Sequence, residues 1–359
     1  PWQWETMEGV DVLRVPLYPN HDSNALGRIA NFTSFALSAA TIGAMGIGGA
    51  DVAYVYHPAP TIGLPAISLK LFRRMPFVYH IADMWPDTVL ESGMVKSART
   101  KAFAEKAISA WYNLVYRHAA AITVLSPGFK DLLVERGVPA EKVHVLYNWT
   151  DERAFRPEPV NQELAQALGL AGKFNIVYAG NLGPMQGLET VIQAAALVKG
   201  RPEIQIVIAG TGHDESMLKA KAAELGATNV LFLGRRQYWE MAGINAIADV
   251  LLVHLRDLPF FRATIPGKTQ VALASGKPVL MGVAGDAADL VIKAGAGLAC
   301  TPEDPNSMAS AMIAFADMPR EALVQMGASA VRYYQSEISL DVGGARTEAL
   351  LEAHRRKKR

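Results

Sequence analysis

Cations beside the start of a helix are the residues of this chain whose types and spacing most plainly could do chemistry. The stretch Asp249 to Leu280 opens on an apolar run of strand character, Val250 to Leu255. It continues through Arg256, Asp257 and Arg262 to Thr264-Ile265-Pro266-Gly267-Lys268. Thr264 can cap a helix there, Pro266 suits its first turn, and Gly276-Lys277-Pro278 closes it. The helix N-terminus would then face a loop holding two arginines and a lysine. Free N–H groups, the positive end of the macrodipole and cationic side chains together bind phosphate. Arg262 and Lys268 are expected to hold it; surface charge on a loop is the bland alternative.

Three earlier loops suit the same ligand. Gly180-Asn181-Leu182-Gly183-Pro184-Met185-Gln186-Gly187, Gly210-Thr211-Gly212-His213-Asp214 and Gly234-Arg235-Arg236-Gln237 each follow an apolar run of strand length. One such loop alone is more often a turn. Four in successive strand-helix units point jointly to a nucleotide or sugar phosphate. Gly210-Thr211-Gly212 lacks the third spaced glycine of the dinucleotide fingerprint, which disfavours a dehydrogenase.

In the first half, His80 and Asp83 follow the strand PFVYHI, and His57 and Ser126 end strands on either side of it. His80 could bond a sugar hydroxyl or stabilise an oxocarbenium-like transition state, and Asp83 could orient the sugar or take the acceptor proton. The alternative is a histidine bonded within the fold and an aspartate capping a helix. Two ligands on one loop are too few to argue a metal. Trp85 lies further along this loop, where packing competes with stacking on a sugar ring. His57, Ser126 and Trp85 stand as acceptor-side candidates.

The elements that must position these residues alternate strand and helix. Val10 to Leu17 reads as a strand, Asn24 to Met45 as a helix and Asp51 to Tyr56 as a strand. A helix from Leu64 to Phe72, a strand from Pro76 to Ile81 and a long helix from Lys96 to His118 follow. A strand from Ala121 to Leu125, a helix from Pro127 to Arg136 and a strand from Val143 to Leu146 complete this half. Asn148 to Pro159 breaks the periodicity with charge and proline and reads as a linker. The rhythm then restarts at Phe174, so the fold class is α/β with two doubly wound domains. Domain boundaries are expected at 1–150 and 151–334, with 335–359 free to pack back on the first.

The chain has 359 residues, half of them hydrophobic, a formal net charge of +1 and one cysteine, Cys300. That length favours two cores, and the near-neutral balance argues against nucleic acid as a partner. One cysteine excludes an internal disulfide and fits a reducing compartment. Pro1-Trp2-Gln3-Trp4-Glu5 does not read as a leader, so cytoplasmic residence is the default. The apolar stretch Phe32 to Gly49 is diluted by Ser, Thr and Gly and reads as a buried or interfacial helix. The basic end, Arg355 to Arg359, is a solvated tail or a contact with anionic lipid.

The tandem GNLGPMQGLETVIQAA, IAGTGHDESMLKAKAAELGATNVLFLGRR and IPGKTQVALASGKPVL, with HIADMWPD and ITVLSPGFKDLLVERGVPAEKVHVLYNWTD before it, resembles glycosyltransferase family 4. The likeness runs from about Asp51 to Phe315 and is greatest to bacterial O-antigen, colanic-acid and capsule transferases, the fucosamine-transferase-like group among them. It implies the GT-B fold, two Rossmann-like domains facing across a cleft. It also implies a nucleotide-sugar donor held by the second domain, an acceptor at the first, and retention of configuration without metal or cofactor. Donor contacts carried over onto this chain are Gly180, Asn181, Leu182, Gly183, Gln186, Gly210, Gly212, Arg235, Arg262, Thr264, Ile265, Pro266, Gly267, Lys268, Thr269 and Gln270, with His80 and Asp83 as catalytic candidates.

The chain also departs from that family. Asn181 and Gln186 stand where it has a diphosphate-binding Arg and Lys, and Ala263 and Val271 stand where it has a carboxylate pair. Arg262, Lys268 and Arg256 inherit the charge, and Gln270 or Thr269 the ribose contact. The chain opens after the family's first strand and Gly-rich loop, so the first sheet is expected to lack a central strand and expose an apolar edge. The leading expectation is a retaining transferase taking a sugar, an N-acetylhexosamine or deoxy derivative, from a UDP donor. Its acceptor would be a polyprenyl-linked or growing surface glycan, with peripheral contact at the inner membrane. An inactive GT-B remnant serving as a nucleotide-binding or partner subunit, and a nucleotide-sugar epimerase, are the alternatives.

Overall fold

The computed structural model describes residues 2–20, 25–57, 59–84 and 98–356. The chain divides into two compact units, Pro1–Leu146 with Ala345–Arg359, and Tyr147–Gly344. Trp85 and the last three residues of the basic tail lie outside the described residues.

The first unit opens on an antiparallel hairpin, β1 (Gln3–Met7) and β2 (Val10–Arg14), in which Gln3 pairs with Arg14 and Met7 with Val10. Glu8 and Gly9 turn it with positive φ angles of 49° and 83°, the backbone that two-residue hairpin turns require. The strand expected over Val10 to Leu17 is therefore the second arm of a hairpin and no member of the parallel sheet. Helix α1 (Ala25–Ser38) runs through a π turn at Ala39–Gly43 into α2 (Ala44–Gly46). The resulting helix is long and apolar enough to cross a membrane, and little of it is buried in the fold. Leu26, Ile29, Leu37 and Met45 are all exposed, so of the expected buried or interfacial helix the buried alternative is not met.

The unit's parallel sheet has the order β3-β4-β5-β6. Its chain runs β3 (Ala53–His57), α3 (Gly63–Arg73), β4 (Phe77–Ile81), α4 (Ala98–His118), β5 (Ala121–Val124), α5 (Pro127–Glu135) and β6 (Val143–Val145). β4 and β5 are buried along their whole length, as central parallel strands with both faces covered must be.

The second unit begins earlier than expected. Asn148 to Pro159 is no free linker: the Thr150 N–H donates to the Tyr334 hydroxyl at 3.0 Å, and Phe155 is 7 % exposed within a core cluster. Burying that ring contributes about 1.5–3 kcal/mol, enough to pin the segment to this unit.

The chain continues through α6 (Gln162–Ala167), β7 (Phe174–Ala179), α7 (Leu188–Leu197), β8 (Ile204–Ala209), α8 (Glu215–Glu224), β9 (Val230–Gly234), α9 (Met241–Ile247), β10 (Val250–His254) and α10 (Gly267–Ala274). Then come β11 (Val279–Gly282), α11 (Asp286–Lys293), β12 (Gly297–Ala299), α12 (Pro305–Ala316) and α13 (Arg320–Glu337). The last helix, α14 (Leu340–His354), groups with the first unit from Ala345 onward.

The second sheet has the order β12-β11-β10-β7-β8-β9. The chain leaves β7 toward β9 in one direction, then returns to β10 and leaves in the other. That reversal between β7 and β10 opens a crevice at the carboxyl ends of the two strands, where α/β sheets bind ligands.

Candidate functional site

A cavity of about 680 Å³ occupies that switch point within the second unit. Its rim comes from the loops after four strands: Gly180 and Asn181 after β7, Gly210 and Thr211 after β8, Arg235, Arg236 and Gln237 after β9, and Gly267 and Lys268 at the start of α10. Its floor is apolar, with Phe155, Val177, Met241, Leu251 and Val253. An apolar body with a few convergent polar groups and this volume is the general character of a small-molecule site. Glycine is dictated at Gly210, because a Cβ there would stand 1.8 Å from the Gly180 carbonyl oxygen. The two loops can meet over the cavity only because that side chain is absent.

Lys268 is the cation built into the cavity. Its Nζ lies 3.7 Å from the centroid of the Tyr178 ring and donates to the Tyr178 hydroxyl, which donates onward to the Asn181 carbonyl at 2.8 Å. Burial brings the Lys268 ammonium down to about 7 and pushes the Tyr178 phenol up. A cation partly stripped of water beside a helix start is suited to an anionic ligand, whose charge would restore what burial removes. Arg235 is exposed on the rim; Arg236 pairs with Glu240 at 3.6 Å, and its buried Nε has no hydrogen-bond partner among the described residues.

Arg262, expected beside Lys268, is turned elsewhere. Its guanidinium grips Asp257 through two bonds of 3.2 and 3.1 Å on a side chain 62 % exposed, and it does not line the cavity. Arg256 is likewise engaged by Glu303 at 3.1 Å. Both arginines found carboxylates that the sequence separates from them, Asp257 by a turn and Glu303 by two helices and two strands.

Other expected donor residues serve the fold. Thr264 does not cap α10: its hydroxyl donates to the Phe260 carbonyl at 3.2 Å, and Pro266 occupies the N-cap position in place of the first turn. Ile265, Thr269 and Gln270 are buried and are not among the residues that line the cavity. Leu182 is core. The Gln186 Oε1 accepts from the Gly183 N–H at 3.1 Å and from the Asn181 amide at 3.5 Å, so it closes its own loop. A Cβ on Gly212 would stand 2.4 Å from the Leu182 carbonyl oxygen.

In the first unit the structure reassigns three candidates. His80 lies inside β4 and does not follow it. It is 5 % exposed, bonded through Nδ1 to the Thr123 hydroxyl at 2.8 Å and stacked on Tyr56 at 5.6 Å. His57 is fully buried, with Nε2 2.7 Å from the Tyr112 hydroxyl and its ring among Tyr79 and Tyr112. Burial holds both imidazoles down at about 4, so they are neutral near pH 7. Ser126 caps α5 by accepting from the Phe129 N–H at 3.1 Å. Asp83 alone of these is exposed.

Sequence reasoning missed Tyr178, Phe155 and Met241. Tyr178 is the penultimate residue of an apolar strand and reads as core; only the threading of Lys268 past Gly180 reveals it as the seat of a cation. Phe155 belonged to the supposed linker. Arg236 was legible as half of an arginine pair after a strand.

The comparisons with known proteins agree with this architecture. Residues 1–149 match the family described as Glycosyl transferase 4-like domain, and residues 160–332 match Glycosyl transferases group 1. The chain is 24 % identical over 299 residues to the probable glycosyltransferase WbjE of Pseudomonas aeruginosa, covering 80 % of this chain and 73 % of that protein. It is 27 % identical over 282 residues to the putative colanic acid biosynthesis glycosyl transferase WcaI of Escherichia coli K12, covering 77 % and 68 %. Its fold is similar to that of Anabaena Alr3699/HepE solved in complex with UDP, with a TM-score of 0.71 at 20 % identity over 91 % of this chain and 84 % of that one.

Proposed function

The chain belongs to the family 4 glycosyltransferases of GT-B fold, and from that premise we propose that it takes a sugar from a UDP-linked donor whose diphosphate sits against Lys268 and the start of α10. The sugar is an N-acetylhexosamine or a deoxy derivative. The acceptor is a lipid-linked or growing bacterial surface glycan, met at the cytoplasmic face of the membrane, and transfer retains the anomeric configuration without a metal. A relative named for colanic acid biosynthesis supports the acceptor class.

The observation that carries the donor reading is the position of Lys268. It lines the cavity at the switch point, with Arg235 and Arg236 on the rim, and its half-buried ammonium would gain stability from an anion. In transfer from a nucleotide sugar, negative charge grows on the leaving diphosphate. Preorganised donors aimed at that charge lower the barrier without reorganising during the reaction. Lys268 and the N–H groups of Gly267 and Lys268 at the head of α10 are those donors, and the apolar floor takes the less polar parts of the ligand.

The purified chain should therefore bind UDP and hydrolyse or transfer from a UDP-sugar. A panel of UDP- and GDP-sugars read by mass spectrometry tests this, and the reading fails if none is bound or consumed. Binding with no transfer to any polyprenyl-diphosphate glycan would keep the site and remove the reaction.

A further inference from the structure

The Gly180–Gly187 loop is held from below by a buried histidine that no part of the donor reading uses. His254 is the last residue of β10 and is 1 % exposed. Its Nδ1 lies 2.7 Å from the Gln186 carbonyl oxygen, which can only accept, so Nδ1 carries the hydrogen. Its Nε2 accepts from the Glu303 N–H at 3.4 Å. Both nitrogens are thus assigned, and the ring is the neutral Nδ1–H tautomer.

The surroundings are shaped to this ring. A Cβ on Gly282 would stand 2.4 Å from its Cδ2, and one on Gly187 would stand 3.1 Å from its Cε1. Gly187 also has a left-handed φ of 59°, which lets the loop turn back at the ring and enter α7. Glu303 adopts a left-handed φ of 55° although it is no glycine, a conformation that persists only where neighbours impose it. The neighbours are on hand: its carboxylate accepts from the Arg256 Nε at 3.1 Å and from the Asp257 N–H at 2.7 Å, while the Arg256 N–H donates to the Met185 carbonyl at 3.0 Å. Three loops, those after β7, β10 and β12, therefore meet at one imidazole.

We infer that His254 is a positioning residue for donor binding, acting through its Nδ1–H on the Gln186 carbonyl to set the height of the Gly180–Gly187 loop opposite Lys268. The loop has little tolerance, because the Cβ position of Gly180 is already 2.5 Å from the Lys268 Cε. A loop released at Gln186 can sink toward Lys268 or lift from it, and in either case the backbone N–H groups and the ammonium cease to converge on one anion. His254 touches no substrate in this role. The inference rests on the donor site proposed above.

The test uses the geometry of amides. Asparagine places its N–H donor where imidazole has Nδ1, and glutamine places it where imidazole has Nε2. His254→Asn, His254→Gln and His254→Leu are titrated calorimetrically with UDP and with GDP, and their melting temperatures are recorded. The expected result is that the Asn variant stays within about threefold of wild type while the Gln and Leu variants bind at least about tenfold more weakly, a factor of ten being about 1.4 kcal/mol. With the Asn and Gln variants melting alike, the difference reports the bond and not the lost ring. Gln binding as tightly as Asn overturns the inference, as does loss of binding in all three variants in proportion to their melting temperatures. Wild-type protein that binds neither nucleotide overturns the donor reading itself, and this inference with it.

Discussion

Lys268 lies with its ammonium 3.7 Å from the centre of the Tyr178 ring, across the switch point of the second sheet. Ninety positions apart in sequence, the two residues make a cation–ring contact at the edge of the cavity, which Lys268 lines and the buried Tyr178 does not. The ring shields the ammonium from water and its hydroxyl orients it, so the charge is held in place before any ligand arrives.

Lys268→Ala should weaken UDP binding by roughly 10- to 100-fold, since a hydrogen bond to a charged group contributes about 1.5–3 kcal/mol. Arg262→Ala, whose guanidinium is occupied by Asp257 on an exposed loop, should leave the affinity within about twofold. Isothermal titration of both variants decides which cation matters; equal losses would mean that Arg262 turns inward when donor binds.

UDP affinity should fall as pH rises through 7. Only the protonated Lys268 attracts the diphosphate, and its free-state value is about 7. Below pH 6 this group contributes no pH dependence. Above 7 each further unit costs up to about tenfold in affinity, until the pKa of the bound state is reached. Kd measured from pH 6 to 9 in wild type and Lys268→Met checks this, the Met variant lacking the slope.

Acid should destabilise the first unit. His57 and His80 are held at about 4 in the fold and rise to about 6.5 when unfolded. Between those values the unfolded chain binds more protons, so stability falls as pH drops from 6.5 to 4, by up to about 1.4 kcal/mol per unit for each histidine. Thermal melts at pH 7 and pH 5 should show the loss, and His80→Asn, which keeps a polar partner for Thr123 without the titration, should shrink it.

Gly210→Ala should be strongly destabilising. Its methyl would fall 1.8 Å from the Gly180 carbonyl oxygen, so the loops after β7 and β8 must part. Overpacking typically costs about 1–3 kcal/mol, and backbone cannot yield as a side chain can. Lowered melting temperature together with lost UDP binding is the expected outcome; unchanged binding would place the ligand away from these loops.

Chelation should leave transfer unchanged. On the proposed donor reading, Lys268 and the head of α10 would supply the charge that a divalent ion could otherwise bring to the diphosphate. Initial rates in EDTA and in added magnesium should agree, and a rate that collapses in EDTA would reassign the leaving-group chemistry to a metal.

The alternation of apolar runs with helical stretches was sufficient to read two doubly wound units, because strand and helix periods are local properties of the chain. The four loops after β7 to β10 were legible for the same reason: glycine and arginine directly after an apolar strand mark a carboxyl end. The hairpin of β1 and β2 was not, because Trp2 to Glu5 shows no bounded apolar run; pairing with Val10 to Arg14 makes it a strand.

Partnership is what sequence alone left open. Lys268 and Arg262 are equivalent as letters, each a cation beside a helix start, yet one is sequestered against Tyr178 and the other spent on Asp257. His57, His80, Thr269 and Gln270 read as polar groups near strand ends or a helix start, and the fold buries all four. The sequence by itself determined the class of fold, the family and the side of the sheet on which chemistry would lie, since these follow from periodicity and from residues adjacent in the chain. Which cation faces the cavity, and which histidine holds its loop, was decided only by tertiary structure, because burial and hydrogen bonding depend on partners brought together from tens of residues away.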